Sequence, residues 1–365
     1  MNDKKKIKLA MPDLSRAAGP LSSIFAIIVG LIIGLIILLF ANSSKALAGF
    51  GWIIGGSLQS AKDIGNVFYY ATPIIMTGLS VALAFRTSLF NIGASGQFIM
   101  GALGAVMVGV HADFLDSFHW VAALLASMVF GAVWAFLPGL LKAFYNVNEV
   151  ISCIMTNYIG MYLVNILVRA TVYHKLTNRS VPVKATANIP KMGLDKLFPD
   201  SMVNGGFLIA VLISILIYIM LNKTTFGFEL KACGYNKDAS LYAGINSKKN
   251  IILAMVISGA LAGIGGGLLY LAGSGKYIYV EDILAPEGFT GISVALLGMS
   301  HPIGTLFAGI FIAYITVGGS YMQLSGFVPE IIDIITATII YFAAFAQILR
   351  GALQRIHFRK AGDRS

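Results

Sequence analysis

The side chains that could do chemistry in this chain are amides, a few charges and glycines set at the edges of long apolar runs. Arg86 to Gln97 reads RTSLFNIGASGQ. Arg86 closes one run, Asn91, Ser95 and Gln97 open the next, and Gly93 and Gly96 permit close approach of helices. Polar groups in such places are costly in hydrocarbon and usually face protein or water. Asn148 caps a further run and Glu149 sits in its first turn, where the helix dipole favours an acid. Glu149 could pair with Arg86. Asn157 and Tyr158 fall deeper in that run. Glu330 and Asp333 begin the last one, where dipole stabilisation is a sufficient account. Gly263, Gly265, Gly266 and Gly267 fit tight helix packing better than a phosphate cradle. GxxxxGK[ST], GxSxG and HExxH are absent. The five histidines, His111, His119, His174, His301 and His357, are scattered at run ends and loops. The sequence therefore assigns no catalytic residue and no metal ligand, and Cys153 and Cys233 lie too far apart to suggest a disulfide.

A second polar stretch, 223–249, separates two apolar runs. Its centre, FGFELKACGYNKDASLYAGIN (226–246), is punctuated as two short helices. Glu229 to Cys233 is followed by Gly234, read as a left-handed stop. Asn236 can cap a second turn from Lys237 to Ala243, which Gly244 ends. This pattern suits a knob that seats in another protein's groove, and equally an ordinary loop.

These segments are positioned by the rest of the chain, which is 57% hydrophobic and 12% charged. A soluble protein would be nearer a quarter charged. The composition predicts an all-α polytopic membrane protein. A helix needs about 20 residues to cross the hydrocarbon. Ten spans are predicted: 21–41, 66–85, 92–111, 119–141, 150–169, 205–222, 250–273, 284–299, 303–318 and 329–349. Residues 46–58 are apolar but too short, and read as interfacial or re-entrant. The first run is longer than a signal-peptide core of about 7–15 residues, so an uncleaved span is expected despite Ala46-Leu47-Ala48. With both termini inside, 17 Lys and Arg fall in the cytoplasm and 9 outside, of 26 in all. The formal charge of +10 is thus explained by lipid headgroups rather than nucleic acid. The 170–204 loop is basic yet outside, and its length fits an ordered surface for an external partner. Gly78 to Leu83 resembles Gly291 to Leu296, a similarity ascribed to chance.

FRTSLFNIGASGQFIMGALGAV (85–106), NEVISCIMTNYI (148–159), GFELKACGYNKDASLYAGI (227–245) and GFTGISVALLGMSHPIG (288–304) together resemble permease subunits of bacterial ABC importers of the branched-chain amino acid and simple-sugar group. Within it they are most similar to nucleoside importers that work with BMP-type lipoproteins. The resemblance runs from about 65 to 349. One departure is Ser95, where many relatives carry an acid. The resemblance implies a larger-type (type II-like) importer fold, a single transmembrane domain over 1–365, in the bacterial cytoplasmic membrane. It implies as partners a paralogous second permease, an external substrate-binding lipoprotein and a cytoplasmic ATPase that holds ATP and Mg. It makes 223–249 the coupling loop, with Glu229, Lys231, Gly234, Asn236, Asp238, Tyr242 and Gly244 as its contact residues.

A nucleoside needs an apolar slot for the base and hydrogen bonds for the ribose. Tyr69, Tyr70, Asn91, Gln97, Asn157 and Tyr158 are the candidates for the path, each equally readable as helix packing. Arg86, Glu149 and Asp333 are read as structural polar groups. A sugar cargo is the alternative. A secondary carrier is disfavoured because every Asp and Glu is expected in a tail, a loop or near a span end.

Overall fold

The computed structural model describes residues 14–339 and 341–342, with side chains from residue 24 onward. The chain is a bundle of helices. In order they are α1 (Leu14–Ala41), α2 (Ala46–Gly55), α3 (Ala61–Arg86), α4 (Ala94–His111), α5 (His119–Tyr145), α6 (Glu149–Thr171), α7 (Leu194–Leu197), α8 (Gly206–Lys223), α9 (Thr225–Tyr235), α10 (Lys237–Tyr242), α11 (Ser247–Tyr270), α12 (Pro286–Leu297) and α13 (Pro302–Tyr321). A two-stranded hairpin, β1 (Tyr173–His174) and β2 (Arg179–Ser180), lies in the loop after α6.

Eight of these helices are long and apolar enough to cross a membrane: α1, α3, α4, α5, α6, α8, α11 and α13. The chain is a multi-pass membrane protein. The predicted eighth span, 284–299, is corrected to the 12-residue α12, whose length of about 18 Å is short of a crossing. Of the predicted last span, 330–339 is helical and the remainder lies mostly outside the described residues. Residues 46–58 form α2 and a turn of 3-10 helix. This piece packs on α13, where Ser57 donates to the Tyr314 carbonyl at 2.6 Å.

Side-chain caps set many of the helix starts. Ser60 accepts from the Asp63 amide, Asn148 from Val150, Asn246 from Lys249 and His301 Nδ1 from Gly304. Such caps satisfy amides that have no partner within the helix.

The packing order follows from residue size. The apolar window of α3 is 83% buried and that of α11 67%, whereas those of α1 and α5 are only 22% buried. Helices α3, α4 and α11 form the centre, and α1, α5, α6 and α8 turn broad Leu, Ile and Phe faces outward. The glycine run of α11 makes this possible. A Cβ on Gly263 would overlap the Ser127 carbonyl of α5 and lie 3.0 Å from the Gly131 Cα. A Cβ on Gly101 of α4 would overlap the Gly263 backbone, and one on Gly266 would overlap the Phe98 carbonyl. Helix backbones in van der Waals contact gain the dispersion energy that drives association in lipid. The two similar hexapeptides lie against each other: Gly78 faces Val294, and Gly291 faces Thr77.

Gly263→Val should therefore lower stability by about 3 kcal/mol, in the upper range for overpacking, read as a lower melting temperature and loss of the monodisperse peak in detergent. Gly51 has nothing within 4 Å of a built Cβ. Gly51→Ala should stay within about 0.5 kcal/mol of the parent.

Candidate functional site

Two helices begin inside the bundle rather than at its ends. After Arg86 the chain turns back inward, and Asn91 reaches Ser258 of α11 at 2.7 Å and Ser80 of α3 at 3.4 Å. Ser80 lies six residues before Arg86, about 9 Å along the helix. Asn91 and Gln97 then exchange two hydrogen bonds, Nδ2 to Oε1 at 2.7 Å and Nε2 to Oδ1 at 3.0 Å. Asn157 of α6 accepts from the Gly96 amide at 2.8 Å and donates to the Ile92 carbonyl at 3.0 Å. Asn91, Gln97 and Asn157 are buried to 1% exposure or less. They lie beneath the protein surface and fasten the start of α4 to α3, α6 and α11.

The second interior start is that of α12. From the end of α11 the chain descends without helix over 271–285. Ser274 meets the hydroxyl of buried Tyr69 at 2.7 Å. Further down, Ser95 donates to the Ala285 carbonyl at 2.8 Å, and Thr77 donates to that of Glu287 at 2.9 Å. Tyr69 to Thr77 is eight residues, so the descent covers about 12 Å and ends near the middle of predicted span 66–85. Gly288 packs so closely on Ser95 that a Cβ would overlap its backbone. The N-termini of α4 and α12 thus meet at mid-depth. Glu287, which the sequence places near a span end, sits at this junction. Discontinuous helices meeting at the midplane are a recurrent arrangement at transporter substrate sites.

From Glu287, α12 runs toward the end of the bundle that carries α9 and α10 and stops at a tight turn. Met299 and Ser300 take positive φ of 56° and 52°. Arg86 Nε donates to the Ser300 carbonyl at 2.8 Å, which ties the turn to α3. Burial first, and the Arg86 charge second, hold His301 below its usual range. The ion pair of Glu149 is with Lys142, at 2.8 Å, in place of the expected pairing with Arg86. Tyr70, Tyr158 and Asp333 are exposed.

At that same end, α9 and α10 form the projecting knob. The reading of Gly234 as a left-handed stop is corrected: α9 continues through Tyr235, and Gly234 is needed for approach. A Cβ there would lie 2.5 Å from the Arg86 carbonyl, and Ser88 donates to the Gly234 carbonyl at 2.6 Å. Asn236 caps α10 through the Ala239 amide at 2.9 Å, and Gly244 ends the unit at φ 80°. Inside it, Ser240 bonds Ser247 at 3.0 Å, and Glu229 accepts from Asn250 at 3.1 Å. Lys231 reaches Asn222 at 3.5 Å. Asp238, Leu241 and Tyr242 face outward. Tyr235, which sequence reading passed over, is 90% exposed, and Tyr242 is 94% exposed. Two large aromatic side chains are thus left bare on the α9–α10 pair.

At the opposite end, the β hairpin holds the descending segment. Ser180 N donates to the Ile278 carbonyl at 2.8 Å, and Val280 N donates to Asn178 at 3.1 Å. Arg179 stacks on Tyr277 at 3.8 Å. Buried His119 fixes the same loop through Thr186 at 2.8 Å.

The chain is similar in sequence to known permeases. The family described as branched-chain amino acid transport system, permease component, matches residues 64–344. The guanosine ABC transporter permease NupP of Bacillus subtilis is 35% identical over 94% of this chain and 98% of its own length. The nucleoside ABC transporter permease NupB of Lactococcus lactis is 34% identical over 93% and 94%. The glucose ABC transporter permease TsgB13 of Haloferax volcanii is 32% identical over 86% and 84%. In the first two bacteria a second permease is also similar, at 25% and 26% identity. No solved structure matches the chain. Matched by that family over most of its length, the chain belongs to the permease components of the branched-chain amino acid transport system family.

Proposed function

We propose that this chain is the transmembrane permease of an ATP-driven importer that moves nucleosides into a bacterial cell by alternating access. The observation that carries the reading is its similarity, over nearly the full length of both chains, to two permeases named for guanosine and nucleosides. The more similar glucose permease covers less of this chain and is less identical, so a sugar cargo is the second reading.

In this reading the chain sits in the cytoplasmic membrane with both termini inside, which agrees with the excess of Lys and Arg on that side. The α9–α10 knob faces the cytoplasm and seats in the groove of a separate ATPase, which holds ATP and Mg. Asn236, Asp238, Tyr242 and Gly244 lie on its exposed side, together with Tyr235 and Leu241. Glu229, Lys231 and Gly234 brace it from within. Its displacement passes to α3 and to the turn into α4 through Gly234, Ser88 and Arg86. The hairpin end receives a substrate-binding lipoprotein. A paralogous permease pairs with this chain, as the presence of two similar permeases in each of two bacteria suggests.

Cells lacking this chain should lose ATP-dependent uptake of labelled guanosine, and in parent cells unlabelled uridine should compete while ribose should not. Loss of ribose uptake with guanosine uptake intact would transfer the chain to the sugar reading. Gly234→Val should leave the protein inserted and folded but cut coupled uptake at least about tenfold, because the added carbons separate α9 from the α3 turn. Normal transport by that variant removes the coupling role from α9 and α10.

A further inference from the structure

Between α4, α6 and the descending segment lies a cavity of about 130 Å³. That is room for roughly four waters, the scale of a heterocyclic base rather than of a whole nucleoside. Ile99, Met161, Val164 and Leu284 line one part of the cavity, and Tyr270, Tyr279, Glu281 and Glu287 supply polar groups. Asn165, at its edge, is engaged with Asp282 at 3.1 Å. The Glu287 carboxylate is met only by its own backbone amide and, at longer range, by the charge of Lys276. No cluster of three His, Cys, Asp or Glu able to hold a metal is found among those residues.

The chemistry of this space is selective. A carboxylate at mid-depth met only by its own backbone amide and a more distant lysine is costly, and the first turn of α12 offsets only part of that cost. A ligand that completes it must present N–H or O–H donors on one edge. The apolar side chains of the wall suit the faces of a flat ring, and its polar side chains suit the edges. A flat base with donors confined to one edge suits them well. A carboxylate accepts two parallel hydrogen bonds from an imino N–H beside an exocyclic amine, the edge that guanine presents. Adenine and cytosine have a ring acceptor at the matching place, which would face the carboxylate oxygen.

We propose that this cavity is a base-binding station in the transport path and that Glu287 reads the imino edge of guanine-type bases. The proposal rests on the nucleoside reading above and moves the ligand contact from the buried amides of α4 and α6 to the N-terminus of α12.

The test uses the complete importer in proteoliposomes, with saturating binding lipoprotein and labelled guanosine, adenosine and cytidine. Glu287→Gln should lower the maximal rate for guanosine about tenfold relative to the other two, the scale of a charge-assisted bidentate contact. Glu287→Asp should restore part of that difference. An unchanged ratio, or an equal fall for all three, overturns the assignment, the latter pointing to a ribose contact or a packing role. If Glu287→Gln does not insert, Leu284→Trp, which fills the cavity from its wall, should abolish uptake of all three, and normal uptake overturns the proposal. A parent importer that carries no nucleoside defeats the nucleoside reading itself. Nucleoside uptake by the parent with an unaltered ratio in the variant defeats the cavity assignment alone.

Discussion

The structure depends on keeping backbone groups hydrogen-bonded at half depth, where water is scarce and each unmet group costs several kcal/mol. Helices α4 and α12 both begin there, and the first amides of a helix have no partner within it. The chain meets the demand with particular side chains. Asn157 takes the Gly96 amide, Ser95 and Thr77 supply donors to the carbonyls of Ala285 and Glu287, and Pro286 at the first position of α12 removes a donor altogether. Without these groups neither helix could start inside the bundle, and there would be no mid-depth junction.

Rigidity around the junction comes from a different source. Helix α11 touches α4 and α5 backbone to backbone through Gly101, Gly131, Gly259 and Gly263. A contact made by backbones has no rotamers to rearrange. The three helices therefore act as a block, and movement is left to elements joined to it through side chains and loops: the turn at Ser300, the knob at Gly234 and the descending segment under the hairpin. That division of stiff and loose parts is what alternating access requires of a permease.

Much of this was legible in the sequence. The apolar runs, the caps at Asn148 and Asn236, the stop at Gly244 and the packing role of the α11 glycines follow from periodicity and residue type. The misreadings have physical causes. Gly234 looks like a helix stop because glycine serves both as a left-handed stop and as a close-contact residue, and only the position of the Arg86 carbonyl distinguishes them. Residues 284–299 read as a span because hydropathy records how apolar a segment is, not how deep it starts. Glu287 therefore looked like an end-of-span acid. Asn91, Gln97 and Asn157 drew attention as polar groups in hydrocarbon, but the sequence does not reveal that their hydrogen bonds are used on one another and on the backbone.

The descent from Gly273 to Ala285 has a consequence for the life of the chain before it is assembled. Tyr279, Glu281, Asp282 and Ile283 are exposed on one flank of the bundle, and this flank is non-helical backbone reaching half depth. Lipid tails cannot solvate such a surface. A newly inserted copy standing alone would have to draw water into the bilayer beside it or remain bound to whatever shields it. Assembly is then a condition for residence in the membrane, and an orphan copy presents the kind of wet, unsatisfied flank that membrane proteolysis can recognise. The same irregular segment would thus set the lifetime of the unassembled chain and tie its abundance to that of the protein that covers it.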